Sequence, residues 1–179
     1  MEKYIALLRG INVSGQKKII MSDLKKHFEN SGFSNVETYI QSGNVTFSCD
    51  LKTVKEIEKK IELLIQSNYG FNVKVIVKTN KDLSETLKLN PFVDMIKNDS
   101  EKLYFTFLFQ KPGEENISNL STIVFENEFY KIIDDVVYLY VPKGYGVSKL
   151  NNNFIENKLK VDATTRNWKT LIKLIEMSA

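Results

Sequence analysis

The first half of the chain alternates between short apolar runs and helical apolar faces. Apolar residues run together or alternate with polar ones in four predicted strands, at 3–8, 36–40, 44–48 and 73–77. Between the strands, Met21, Leu24 and Phe28 recur at helical spacing, with Ser22 as the expected cap. A capping-box pattern formed by Thr53 and Glu56 predicts a second helix. The resulting order, β-α-β-β-α-β, is that of a ferredoxin-like unit.

The second half partly repeats this order. Strands are predicted at 102–109, 128–133 and 136–141, and helices near 116–121, after Ser148 and around Trp168. No fourth strand is predicted, so the second unit is expected to be incomplete. We therefore predict an α+β protein with ferredoxin-like subdomains at 1–78 and 102–179, joined by a connector at 79–101 that holds a short helix. The two halves are expected to pack together with a cleft between them.

Composition sets broad limits on the class of protein. Hydrophobic residues make up 42% of the chain and the formal net charge is only +3, which by itself does not indicate nucleic-acid binding. The single cysteine, Cys49, cannot form an intramolecular disulfide. No apolar stretch approaches the roughly 20 residues that span a bilayer, and the N-terminus does not resemble a signal peptide. We predict a cytoplasmic protein without a membrane partner.

Polar residues are concentrated where predicted elements of the first half end. A right-handed crossover makes the first two strands parallel, so the loop at 9–18 and the hairpin turn at 41–44 should lie side by side. The start of the first helix opens at the same edge and adds a partial positive charge. Such an edge suits a carboxylate or phosphate. The predicted ligand-binding residues here are Arg9, Asn12, Lys17, Gln41, Ser42 and Asn44.

Three further candidates lie in the second half. Lys149 follows a glycine-containing loop before a predicted helix, an arrangement seen in phosphate-binding loops, although a simple crossover loop is the favoured interpretation. Arg166 and Asn167 are predicted at the start of the last helix, where a cation is disfavoured by the helix dipole. The partner of Arg166 is expected to be an anionic ligand or a carboxylate such as Asp162.

Several sequence segments together resemble a known family. They are YIALLRGINV, TYIQSGNVTF, Gly146–Leu150 and ATTRNWKT, and they resemble the bacterial family catalogued as domain of unknown function 1697, from Tyr4 to near the C-terminus. The resemblance implies a small cytoplasmic α+β protein of two ferredoxin-like subdomains and implies no established activity. Ser14-Gly15 stands where relatives often have a glycine pair, which implies a less pliable loop.

Specific chemistry is sparse in this sequence. His27 and Cys49 are favoured as packing residues, and we predict neither a metal site nor a cofactor. The first hypothesis is binding of a small anionic metabolite or nucleotide. An enzyme acting on a phosphorylated or carboxylated substrate is the alternative, although a general base is missing. RNA or DNA binding through Tyr4 and Phe47 is a further alternative, with core packing favoured for Phe47. The fourth hypothesis is a protein-interaction module, which would have an exposed apolar patch.

Overall fold

The computed structural model describes residues 1–51, 53–95 and 100–179 and divides the chain into two compact units. Unit 1 comprises Met1–Glu85 together with Lys173–Ala179, and unit 2 comprises Thr86–Ile172. Each unit contains a four-stranded antiparallel sheet, and six α-helices lie in the described part of the chain. The fold is therefore α+β. Residues 96–99 of the predicted connector lie outside the described residues.

Unit 1 contains four strands and three helices in the predicted order. They are β1 (Glu2–Leu8), α1 (Met21–Asn30), β2 (Ser34–Tyr39), β3 (Asn44–Cys49), α2 (Val54–Tyr69), β4 (Val75–Lys78) and α3 (Asn80–Lys88), the last of which runs three residues into unit 2. The sheet order is β2-β3-β1-β4. Because β1 and β2 both pair antiparallel with β3, they are parallel to each other and end at the same edge.

Alternation along the strands of unit 1 places one set of side chains against α1 and α2. Tyr4, Ala6 and Leu8 belong to this core together with Leu24 and Ile61. Burial of these apolar side chains is the main source of stability in a unit of this size. The predicted capping box of Thr53 and Glu56 at the start of α2 is confirmed.

The cap predicted for α1 is wrong. Ser22 is the second residue of this helix, and Ile20 occupies the capping position without a side-chain hydrogen bond. Met21 is buried and opens the apolar face, so the helix begins one residue before the serine that resembled a cap. Packing of the apolar face has outweighed the local capping signal.

Unit 2 contains four strands, so the prediction that this unit lacks a fourth strand is wrong. The elements are β5 (Leu103–Leu108), α4 (Glu114–Ser121), β6 (Phe129–Ile133), β7 (Val136–Tyr140), α5 (Asn152–Leu159), β8 (Ala163–Asn167) and α6 (Trp168–Met177), which continues into unit 1. The sheet order is β6-β7-β5-β8, and β8 pairs with β5 from Tyr104 to Leu108. The order of strands and helices from β5 to β8 thus repeats that from β1 to β4.

Two predicted helix starts in unit 2 are also corrected. Asn151 caps α5 by accepting a hydrogen bond from the Phe154 N–H, whereas Ser148 precedes the helix and accepts from the Leu150 N–H. Arg166 lies within β8 and not in the first turn of α6. The helix dipole therefore does not act on Arg166 as the sequence suggested.

One edge strand in each sheet is covered in the same way. The N–H groups of Val75 and Val77 in β4 donate to Glu62 and Glu58 of α2, at 3.3 and 2.9 Å. In unit 2 the N–H of Ala163 in β8 donates to Glu156 of α5 at 2.7 Å. Each carboxylate satisfies a main-chain donor that a neighbouring strand would otherwise take.

Candidate functional site at the edge of the first sheet

The predicted meeting of the loop after β1 with the β2–β3 hairpin is confirmed. The N–H of Leu8 donates to the carbonyl oxygen of Gly43 at 2.8 Å, and the Asn12 side chain donates to the carbonyl oxygen of Gln41 at 2.9 Å. The two segments are 29 positions apart in the chain at this second contact. Parallel β1 and β2 bring them together, as the topology requires.

Asn12 is the residue that fixes the geometry of this edge. Its Nδ2 donates to the carbonyl oxygens of Ile19 and Gln41, both at 2.9 Å, while its Oδ1 accepts from the Ile19 N–H at 2.8 Å. The side-chain amide thereby closes the loop and ties it to the hairpin. Asn12 was predicted to bind a ligand, and in the structure these contacts make it an anchor for the residues around it.

Backbone strain is concentrated at the same edge. Seven non-glycine residues among those described have positive φ, and four of them lie in the loop or the hairpin: Asn12, Ser14, Lys17 and Ile40. The left-handed conformation is tolerated by asparagine but is unusual for a β-branched residue such as Ile40, which has a φ of 49°. Residues held in such conformations are found preferentially at functional sites.

Close packing supports the strained hairpin. Gly43 has a φ of 78°, and a Cβ atom there would lie 2.7 Å from the Cβ of Leu8 and 3.0 Å from the Ile11 side chain. Only glycine fits this position. The next residue, Asn44, is fully buried, and its Nδ2 donates to the Tyr39 carbonyl oxygen and the Ser42 hydroxyl at 3.1 and 3.0 Å. Asn44 therefore braces the hairpin from within.

The accessible groups of this edge carry positive charge and hydrogen-bonding capacity. Lys18 and Gln41 are exposed, and Arg9, Lys17 and Ser42 are half-buried. The Lys17 ammonium donates to the Asn72 carbonyl oxygen at 2.7 Å, which holds this cation beside the loop. Residues 9–20 contain no acidic side chain. The arrangement presents several cations and an amide on a preformed main-chain frame.

The three candidates of unit 2 differ in their surroundings. Arg166 is buried; its guanidinium donates to the Thr164 hydroxyl and the Thr165 carbonyl oxygen, at 2.8 and 2.9 Å. Burial lowers the pKa of Arg166 to about 10. Asn167 accepts a hydrogen bond from the Thr170 N–H at 2.8 Å and so caps the start of α6. Lys149 is exposed in the loop before α5.

Comparison with known proteins places the chain in a family. The model of the family described as "Protein of unknown function (DUF1697)" matches residues 1–138. The chain belongs to the DUF1697 family. The matched residues include the loop and hairpin of unit 1, whereas Lys149, Arg166 and Asn167 lie beyond them. No curated protein matches the chain.

A solved structure shares the fold of this DUF1697 protein. The conserved bacterial protein SP0830 from Streptococcus pneumoniae is similar over 99% of this chain and 98% of its own, with a TM-score of 0.75 and 22% sequence identity. At this identity the similarity concerns the fold, and it assigns no ligand or activity to the DUF1697 protein.

The aromatic residues considered for nucleic-acid stacking lie in the core of the DUF1697 protein. Tyr4 and Phe47 belong to the cluster packed against α1 and α2, and their rings stack with centroids 6.0 Å apart. Base stacking on a ferredoxin-like sheet uses aromatic side chains on the uncovered face. Neither ring is available for that role in this arrangement.

Two residues considered for catalysis occupy packing positions. The His27 ring contacts the Tyr69 ring edge-on, with centroids 5.5 Å apart. Cys49 is buried and free, and burial raises the pKa of its thiol. No group of histidine, cysteine and carboxylate side chains suited to a metal ion occurs among the described residues. Over the same residues, no helix is long and apolar enough to cross a membrane.

A polar cluster in unit 2 was missed by the sequence analysis. The Thr165 hydroxyl accepts from Tyr145 at 3.1 Å, donates to Asn152 at 3.1 Å and contacts the Thr106 hydroxyl at 2.8 Å. The Tyr145 ring stacks on Tyr104 at 4.9 Å. These residues come from separate elements and share no local motif. Their hydroxyls satisfy one another, so the cluster joins β5, β8 and α5.

Proposed function

We propose that this DUF1697 protein binds a small anionic metabolite or nucleotide at the edge of unit 1 formed by the loop after β1 and the β2–β3 hairpin. Arg9, Lys17 and Lys18 supply positive charge, and Gln41 and Ser42 supply directional hydrogen bonds. The ligand group that suits these donors is a carboxylate or a phosphate. The proposal does not include Arg166 and Asn167, which form hydrogen bonds with Thr164, Thr165 and Thr170 of unit 2.

The observation that carries this proposal is the anchored, strained loop. Asn12 closes it with three hydrogen bonds, and left-handed residues occupy both the loop and the hairpin. A preformed frame lowers the conformational entropy that would be lost when cations are ordered around a ligand. The strain is then maintained because it positions the binding groups.

Ligand-induced thermal stabilisation tests the proposal. Wild-type protein is screened against phosphate esters, nucleotides and dicarboxylates, and the compound that raises Tm is titrated against Arg9→Gln and Lys17→Gln. Both variants should stay folded and lose most of the shift, because a ligand at about 100 times its Kd stabilises the folded state by about 2.7 kcal/mol. Lys59→Ala, which removes an exposed charge on α2, is the matched control and should keep the full shift.

Two outcomes of this experiment would contradict the proposal. If both loop variants keep the wild-type shift, the compound binds elsewhere. If both variants unfold without ligand, Arg9 and Lys17 are structural residues of the edge. Either result removes the loop and hairpin as the binding site.

We also infer that both units have a ferredoxin-like topology and that the protein is cytoplasmic. The element order and the strand order β2-β3-β1-β4, repeated as β6-β7-β5-β8, support two ferredoxin-like units. The free and buried Cys49 supports a reducing, cytoplasmic location.

A further inference from the structure

A small cavity lies in unit 1, toward the end of β1 that is remote from the β2–β3 hairpin. Its volume is about 290 Å³, and it is lined by Lys3, Asn35, Glu37, Thr46, Phe47 and Met177. Lys3 pairs with Ser48 near the start of β1, whereas Leu7 pairs with Asn44 beside the hairpin. The cavity is therefore separate from the anionic site proposed above, and the inference does not depend on that site.

Thr46 gives this cavity an unsatisfied polar group. The residue is only 3% exposed, and its hydroxyl has no hydrogen-bond partner in the part of the chain that the structure describes. A buried hydroxyl without a partner costs about 1–3 kcal/mol, and most buried polar groups are satisfied. Thr46 lines the cavity and its hydroxyl oxygen is covered, so a bound molecule supplies the missing partner once a lining side chain moves aside.

Charged groups of opposite sign border the same cavity. Glu37 lies directly opposite Thr46 in the register of β2 and β3, and Lys3 lies opposite Ser48, two residues further along β3. Glu37 has no ion-pair partner among the described residues, whereas the Lys3 ammonium donates to the main-chain oxygen of Ala179. One cation and one carboxylate thus lie on either side of an unsatisfied hydroxyl.

Asn35 and Met177 complete the lining. Asn35 has a φ of 51° at the irregularity in the β2–β3 register, and its Nδ2 donates to the Ser48 hydroxyl at 3.4 Å. This contact orients the amide toward β3 and leaves its carbonyl oxygen as an acceptor. Met177 adds a polarizable apolar surface that adapts to different side chains. The lining therefore combines both charges with a short apolar wall.

We propose that this cavity binds a free α-amino acid. The carboxylate of the ligand pairs with Lys3, its ammonium group pairs with Glu37, and one of these groups hydrogen-bonds the Thr46 hydroxyl. The ligand side chain lies against Met177. The volume is near the lower limit of about 300 Å³ for small-molecule sites, which fits a single amino acid.

Binding of unmodified and blocked amino acids tests this assignment. Full-length protein is titrated by isothermal calorimetry with each of the twenty L-amino acids, and the best binder is compared with its N-acetyl and methyl-ester derivatives. Each blocked form lacks one charge and should bind at least about tenfold more weakly, which corresponds to about 1.4 kcal/mol. Glu37→Gln should lower the affinity for the free amino acid by a similar factor.

Thr46→Val is the decisive variant because it separates binding from folding. Valine has nearly the same shape and removes the unsatisfied hydroxyl, so the variant should be as stable as wild type or more stable, while its affinity falls at least about tenfold. Thr38→Val, in β2 beside Glu37, is the matched control and should keep wild-type affinity. Arg9→Gln should also bind the amino acid normally, which distinguishes this cavity from the anionic site.

Two results would overturn the assignment. The first is that no amino acid binds at millimolar concentration, which would leave water as the partner of Thr46. The second is that Thr46→Val and Glu37→Gln bind the best amino acid as tightly as wild type, which would place that ligand elsewhere on the protein.

Discussion

At the scale of single residues, Asn12 is the strongest determinant of the loop after β1. Asn12→Ala removes three hydrogen bonds and leaves alanine in a left-handed conformation, so it should lower the free energy of unfolding by about 2–3 kcal/mol. Asn12→Gly removes the same bonds without the conformational cost and should recover about 1 kcal/mol. Urea denaturation measures both changes; equal stability of the two variants would contradict the strain assigned to this position.

Tyr138 provides a pH-dependent test at the same scale. Burial, with a contribution from Asp135 and Asp134, raises the pKa of its hydroxyl from 10.0 to about 12. In the unfolded chain the hydroxyl ionises first, so the folded state binds more protons between about pH 10 and 12 and stability falls as pH rises through that range.

Tyr138→Phe removes this ionisable group and should make the loss of stability above pH 10 less steep, with little change at neutral pH. Denaturant unfolding of both proteins from pH 8 to pH 11 would measure the difference in slope. At neutral pH the substitution should change the free energy of unfolding by no more than about 1 kcal/mol, as expected of a mild core substitution. Parallel curves for the two proteins would show that Tyr138 does not contribute to the alkaline loss of stability.

Residue roles were only partly predictable from the sequence. The place of Arg9, Asn12 and Gln41 followed from topology, because parallel strands must end at one edge. The contacts of each side chain could not be derived from topology, because Asn12 and Asn44 donate hydrogen bonds to main-chain groups whose positions depend on the complete fold. The Thr46 cavity had no signal in the sequence: a threonine in a strand resembles any other until its neighbours are known.

At the scale of elements, unit 1 was largely predictable because its strands and helices have strong apolar periodicity. The fourth strand of unit 2 was not, because Ala163–Asn167 contains two threonines, an arginine and an asparagine. Its polar groups are satisfied by long-range contacts, such as the hydroxyl contact between Thr106 and Thr165. Because this segment lacks alternating apolar residues, Arg166 and Asn167 were assigned to the start of the last helix.

The glutamate that covers β8 gives a test at this scale. Glu156→Ala leaves the N–H of fully buried Ala163 without the carboxylate that accepts its hydrogen bond at 2.7 Å. We expect a loss of about 1–3 kcal/mol in the free energy of unfolding. Glu156→Gln retains an acceptor and should recover most of that loss. Similar destabilisation by both substitutions would mean that charge, and not the hydrogen bond to β8, is what matters.

At the scale of the whole molecule, the chain leaves unit 1 after Glu85 and returns to it at Lys173. Asn80, at the start of α3, bonds the returning segment: its Nδ2 donates to the Ile175 carbonyl oxygen at 2.8 Å and to the Ser178 hydroxyl at 3.0 Å. These contacts join Asn80 to residues that are 95 and 98 positions later in the chain. A discontinuous unit depends on such contacts because closing a long loop costs conformational entropy.

Asn80→Ala should therefore destabilise unit 1 selectively, by about 1–3 kcal/mol, because it removes the two hydrogen bonds to the returning segment and the one that Asn80 accepts from the Ser84 hydroxyl. Hydrogen exchange followed by mass spectrometry resolves this: amides of β1 and β3 should lose protection, while those of β5 and β7, which belong to a separate apolar cluster, should keep theirs. Asn119→Ala, on the exposed face of α4, serves as the control and should leave both sheets unchanged. Equal loss of protection in both sheets would instead show that the two units unfold as one cooperative body, and each core would then depend on the returning segment.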